Sequence, residues 1–236
     1  MYLAEIKILV VGVGGLGCPA VTVLAEAGIG TLGLMDPDVV ELSNLHRQML
    51  YSPKDLGRKK TEAAFDHLSR RFPKTKYIPI PEAIASANAS KTLSSYDLII
   101  DGLDRLEKKF FLNDWCVNLG KPYVHAGVVK FEGQVMAVDP GKSACLRCLI
   151  PKIPPPFAMP TCQEAGVLGS FSQTIGYLQA YEALQFLKGE RPVKLWKVDM
   201  QKREWRSIVP KKNPSCQFCG QTKAEVEKMA EPSCRI

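Results

Sequence analysis

Apolar runs of strand length alternate with amphipathic stretches of helix length along most of this chain. Residues 6–12 (IKILVVG) read as a buried strand, TLGLMD as a second strand ending at Asp36, and YDLIID (96–101) as a third. Two more strands are expected near 122–128 and 133–138. A helix over about 17–28 carries Pro19 in its first turn, where a missing N–H does no harm. A second helix over 57–72 sets Ala64, Leu68 and Phe72 on one side, and a third covers about 105–119. Strands alternating with helices close through right-handed crossovers, so the pattern predicts a Rossmann-like α/β fold with a doubly wound, mostly parallel sheet.

After residue 149 the rhythm breaks. The stretch IPKIPPPFAMP (150–160) holds five prolines in eleven residues, which excludes helix and central strand and predicts an exposed, semi-rigid loop. Helical spacing returns over 165–188, with Leu178, Ala183, Leu184 and Leu187 on the apolar side, and 193–208 predicts a two-stranded β ribbon. The expectation is one domain over 1–220, whose 145–220 part is tied together by zinc, followed by a weakly held tail over 221–236.

Composition narrows the class without changing the picture. With 236 residues, 46% of them hydrophobic and 23% charged, the chain suits one sizeable core. No run approaches the roughly 20 apolar residues that a membrane helix needs, and the start has no secretory pattern, so a cytoplasmic location is expected. The formal charge of +7 comes from scattered basic residues with no aromatic-interleaved motif, which disfavours nucleic acid as a partner.

Gly12, Gly14 and Gly17 follow the first strand with G-x-G-x-x-G spacing, and Asp36 ends the second strand where an acid can accept ribose hydroxyls. A glycine turn there lets backbone approach phosphate and aims a helix N-terminus at the anion. These two features alone fit a nicotinamide-dependent dehydrogenase. The segment DPDVVELSNLHRQ (36–48) adds a fork of donors, Asn44, Arg47 and Gln48, and Lys60 adds a point charge, a set better suited to a triphosphate. Asp101 and Asp104 stand at or just past the end of the third strand. Asp104, the better placed of the two in the crevice, is expected to hold Mg²⁺, with capping of the next helix as the alternative. Cys145, Cys148, Cys216 and Cys219 form two C-x-x-C pairs, the number and spacing of a structural tetrahedral Zn²⁺ site. Cys18 and Cys116 are read as small buried residues.

Taken together, GVGGLG, Asp36, SNLHRQ (43–48), GRKK (57–60), DGLD (101–104), the two C-x-x-C pairs and TCQEAGVLG (161–169) resemble the MoeB/ThiF/HesA adenylating enzymes, relatives of the ubiquitin-activating enzymes. The resemblance implies ATP on the glycine loop, with Gly15 near the phosphates and Asp36 on the ribose. Ser43, Asn44, Leu45, His46, Arg47, Gln48 and Lys60 would then surround the phosphates, with Asp104 on Mg²⁺. Arg105 stands where the family commonly has Asn. It further implies a homodimer and an acceptor that is the C-terminal glycine carboxylate of a ubiquitin-like sulfur carrier ending in Gly-Gly, which displaces pyrophosphate and becomes an acyl adenylate. A carboxylate is already a nucleophile, so His46, His67 and His125 are assigned no catalytic role, and Arg47, Lys60 and Asp104 carry the step by positioning and charge neutralisation. Cys162 matches a cysteine that forms a persulfide or thioester in some members. The residues ahead of the first strand lack the family's Arg-x-x-Arg-Gln element, whose arginine reaches the partner subunit's ATP, and sulfur delivery is assigned to another protein. A nucleotide-binding scaffold without activity remains an alternative; a tRNA-modifying dehydratase of related fold fits the paired C-x-x-C motifs less well.

Overall fold

The computed structural model describes residues 2–152, 166–189 and 193–220. Cys162, residues 153–160 of the Pro-rich stretch and the 221–236 tail lie outside them. Eight strands form one sheet, β1 (Lys7–Val11), β2 (Thr31–Met35), β3 (Lys76–Ile80), β4 (Leu98–Asp101), β5 (Tyr123–Val129), β6 (Glu132–Val138), β7 (Leu195–Asp199) and β8 (Glu204–Ile208), in the order β3-β2-β1-β4-β5-β6-β7-β8. The first five strands pair in parallel, and β6, β7 and β8 add on antiparallel. The expected ribbon is therefore β7 and β8, built into the main sheet through β6 rather than standing apart.

Both sheet faces are covered, which is why the central strands read as unbroken apolar runs rather than alternating ones. In β1, Ile8 and Val10 point to one core with residues of α1 (Gly17–Glu26), α2 (Lys60–Arg71) and the long helix Gly169–Leu187. Leu9 and Val11 point to the other core, with residues of α3 (Ser86–Ser94) and α4 (Leu106–Asn118). A short helix, α5 (Leu146–Leu149), follows β6, and the long helix is α6.

Sequence pattern missed β3, α3 and the four-residue α5. β3 contains Pro79, which an edge strand tolerates because its outer N–H row is unpaired. α3 is short and rich in Ser, Ala, Asn and Thr, leaving little apolar periodicity to detect. The helix expected from residue 57 begins at Lys60, because Gly57 turns with φ +79° after a 3₁₀ turn at Pro53–Asp55.

That turn latches the start of α2. Asp55 accepts hydrogen bonds from Ser52 N at 2.9 Å, Ser52 Oγ at 2.8 Å and Arg58 Nη1 at 3.1 Å, and pairs with His67 Nε2 at 2.8 Å. Burial alone would raise its carboxyl, but the bonds from His67 and Ser52 outweigh it and bring the pKa down to about 2.

Gly17 begins α1 against the backbone of β1's end, and a Cβ there would collide with the Gly12 carbonyl. Gly17→Ala should therefore destabilise the fold by about 1–3 kcal/mol in equilibrium denaturant unfolding; an unchanged midpoint would show that the turn can relax. Asp55 supplies stability in full above its unfolded pKa of 3.8 and loses it as the pH falls towards about 2. The stability gap between wild type and Asp55→Asn should narrow across that window, and a gap independent of pH would refute the latch.

Candidate functional site

The strand order reverses between β1 and β4, and the loops leaving their carboxyl ends diverge there, as at the ligand-binding switch point of open α/β sheets. Gly12 follows β1 with φ +91°, and Gly102 follows β4. A Cβ on Gly12 would run into the Gly102 carbonyl, so glycine is required for the two turns to touch. A cavity of about 1290 Å³ opens over this contact.

Asp36 is buried just past the end of β2, 5% exposed. It accepts the backbone N–H of Val13 at 2.8 Å and of Asp38 at 3.0 Å. Residues 38–40 pair with 57–60, where Lys60 N donates to Asp38 O at 3.0 Å and Val40 N donates to Arg58 O at 2.9 Å. This pairing carries Lys60 into the cavity wall, its Nζ 2.9 Å from Asp38 Oδ2 and 3.8 Å from Asp36 Oδ1. Burial pulls the ammonium's pKa down, but Asp36 and Asp38 more than offset that and raise it, so Lys60 stays cationic. Burial raises the Asp36 carboxyl despite Lys60.

The segment after Asp36 folds back over the glycine loop. Gln48 Nε2 donates to Asn44 Oδ1 at 2.7 Å, and Asn44 Nδ2 donates to Glu41 Oε2 at 3.1 Å. Gln48 is buried, yet its Oε1 has no hydrogen-bond partner, an orphan acceptor beside the cavity. Among the described residues Arg47 Nη1 donates only to the Ser43 carbonyl, at 3.1 Å, and Gln173 of α6 fastens the Arg47 backbone at 2.6 Å. Gly15 lies against Arg47, and a Cβ there would press on Ser172 Oγ.

Across the crevice, Asp101 is fully buried and committed to Lys109 Nζ at 3.0 Å and His125 Nδ1 at 2.8 Å. Burial opposes its ionisation, but Lys109 and His125 win and lower its pKa. Asp104 and Arg105 instead stand exposed at the cavity wall. The N-cap of α4 is Arg105, with no side-chain cap, so Asp104 is not spent on capping. Among the described residues neither Arg47 nor Arg105 has an acidic partner.

The cavity wall thus brings together Gly12, Gly14, Gly15, Asp36, Asn44, Arg47, Gln48, Lys60, Asp104 and Arg105. Gly17, Ser43, Leu45 and His46 fall outside it: Gly17 serves packing, Ser43 supplies a carbonyl to Arg47, and His46 is exposed. Sequence reasoning missed Lys109, Gln134 and His125, the last of which carries no special mark in the sequence but sits 1% exposed in the cavity wall. Nothing local singles them out, since the pairing of β5 with β6 and the packing of α4 on the sheet assemble them.

The four paired cysteines converge below β6. Cys145 Sγ lies 3.8 Å from Cys216 Sγ and 4.0 Å from Cys148 Sγ, and Cys148 Sγ is 3.2 Å from Cys219 Sγ. Sulfurs bonded at about 2.3 Å to one tetrahedral ion sit about 3.8 Å apart, so the cluster can hold a metal ion. Arg147 braces it, stacked between Phe110 of α4 and Phe218 at 4.5 and 4.6 Å and paired with Asp114 at 2.6 Å. Cys18 and Cys116 are buried with free thiols. No helix among the described residues is long and apolar enough to cross a membrane.

The chain is 38% identical over 226 residues to the sulfur carrier protein adenylyltransferase of Thermus thermophilus, covering 92% of this chain and 83% of that one. It is 41% identical over 198 residues to the adenylyltransferase and sulfurtransferase uba4 of Aspergillus niger, covering 80% of this chain and only 41% of that longer protein. The crystal structure of E. coli MccB, 24% identical, shares the fold with a TM-score of 0.82 over 94% of this chain and 67% of that chain. A family model, the ThiF family, matches residues 2–218, and the chain belongs to that family.

Proposed function

We propose that this protein adenylates the C-terminal glycine carboxylate of a ubiquitin-like sulfur carrier ending in Gly-Gly, using ATP and releasing pyrophosphate, to prepare the carrier for sulfur transfer in thiamine- or molybdopterin-type cofactor synthesis. One observation supports this above the rest: Arg47, Arg105 and Asp104, two guanidinium groups and a carboxylate without ion-pair partners among the described residues, line the same crevice as the glycine loop and Asp36. A nicotinamide-linked oxidoreductase leaves those three without a role. The Thermus relative is named for the same activity, and MccB, of like fold, has been crystallised with ATP.

In this reading Asp36 accepts the ribose hydroxyls and the backbone of Gly14 and Gly15 lies against the phosphates, where no Cβ intervenes. Arg47 grips phosphate oxygens. Lys60 exchanges its exposed partner Asp38 for another oxygen while Asp36 holds it in place. Asp104 would hold Mg²⁺, which neutralises charge on the departing pyrophosphate. A carboxylate oxygen of the acceptor bonds to the α-phosphorus, and the bond to the bridging oxygen breaks with its electron pair leaving on pyrophosphate. No proton moves, so no general base is needed, and the work of the site is alignment and charge stabilisation. The four-cysteine cluster would hold Zn²⁺ as a structural ion, its burial among α4 and β6 residues leaving no open position for catalysis. A homodimer and a covalent role for Cys162 belong to the same proposal.

Isotope exchange between pyrophosphate and ATP should depend on an added carrier ending in Gly-Gly, and Arg47→Ala should slow it on the order of 100-fold. Carrier-independent or absent exchange, or full activity in Arg47→Ala, would overturn the reading. Metal analysis should find one zinc per chain, and Cys216→Ser should lose it and lower Tm by about 5 °C or more. Wild type that carries no metal as purified, or Cys216→Ser with the wild-type Tm, would dismiss the zinc.

A further inference from the structure

The cavity does not end at the glycine loop; it continues across β5 and β6 to β7 and β8. On its floor a chain of polar side chains runs from Asp101 through His125 to Gln134, a sequence of contacts that the adenylation step as described does not use. His125 Nδ1 faces Asp101 Oδ2 at 2.8 Å, and His125 Nε2 faces Gln134 Nε2 at 3.0 Å.

The partners settle each proton. Asp101 is a buried carboxylate held by Lys109, so it accepts and His125 Nδ1 carries the hydrogen. Burial keeps the imidazole neutral against the pull of Asp101, which leaves a lone pair on Nε2. The Gln134 amide nitrogen must then be the donor, and the orientation of that amide is fixed. Its carbonyl oxygen is turned away from the imidazole, and no protein group in the described residues bonds to it. Gln134 is half-buried in the cavity wall. Its partner across the ladder is Gly127, where no side chain covers the amide.

Position says which substrate this oxygen meets. β6 lies four strand spacings from β2, about 19 Å at about 4.8 Å each, so Gln134 is out of reach of a ribose held by Asp36 at the end of β2. It lines the cavity on the other side of the switch point from Asp36, the side that the adenylation reading leaves for the acceptor. The free group there is a hydrogen-bond acceptor beside a glycine-floored gap, which suits a backbone N–H of an extended small-residue peptide and not a free carboxylic acid.

We infer that Gln134 is a positioning residue for the acceptor: its side-chain carbonyl, locked by His125 and Asp101, accepts a peptide N–H from the last two residues of the incoming tail and sets the terminal carboxylate at the α-phosphate. This assignment rests on the adenylation reading and adds to it the residue that aligns the acceptor's tail.

The test is carrier-dependent pyrophosphate exchange by the full chain, with Gly-Gly carriers in which the last or the next-to-last peptide N–H is replaced by an ester oxygen. Gln134→Leu, a near-isosteric change at a half-buried site, should raise KM for the amide carrier about tenfold and leave KM for ATP unchanged. One of the ester carriers should show the same loss with wild type, and Gln134→Leu should lose nothing further with it. His125→Gln should lie between the two proteins. Equal KM for the amide carrier in wild type and Gln134→Leu, or additive losses with both esters, would refute the Gln134 assignment while leaving adenylation standing. No exchange by wild type with any carrier would instead bring down the adenylation reading, and this assignment with it.

Discussion

Everything about the site follows from two peptide backbones touching where β1 and β4 end. Gly12 and Gly102 approach so closely that neither tolerates a side chain facing the other. Their contact closes the bottom of the crevice while the loops above it part in opposite directions. The same constraint recurs one turn later, where Gly17 packs on the Gly12 carbonyl and sets the first turn of α1. The helix N-terminus, the bare backbone of Gly14 and Gly15 and the acid at the end of β2 then share one small volume. The first turn of a helix sets its unpaired N–H groups and positive dipole end towards such a volume.

Charge in the crevice is arranged in two grades. Lys60 and Lys109 are buried and already neutralised by carboxylates, Asp36 and Asp38 for the first and Asp101 for the second. They hold the walls. Arg47 and Arg105 have no such partners among the described residues and can answer to a ligand. Arginine suits that task, since its planar fork binds two phosphate oxygens and never deprotonates.

Much of this was legible in the chain itself. The apolar runs of β1, β2 and β4 are strands because both their faces are buried, and the glycine spacing and Asp36 mark the ends that matter. The cysteine pairs foretold their own cluster, since C-x-x-C fixes two sulfurs locally and the fold needs only to bring two turns together. The rest depends on pairings between residues distant in sequence. β3 hides behind Pro79, and α3 behind a polar composition. The ribbon's place in the sheet is decided by β6, not by its own residues. His125 and Gln134 meet only because β5 and β6 pair in a register that sets Gly127 opposite Gln134, and no spacing within either strand announces it. Ser43, Leu45 and His46 show the converse: neighbours of Arg47 in a motif, they are turned elsewhere by the local 3₁₀ geometry.

The change from parallel to antiparallel pairing at β5 divides the sheet into halves held by different constraints. The parallel half is fixed by glycines and buried ion pairs that few substitutions can enter without loss. Strands β7 and β8, by contrast, end at an open edge and expose Trp205, Arg206 and Ile208. A descendant of this chain could rewrite that outer half alone, and the glycine-walled crevice at the switch point would not register the change.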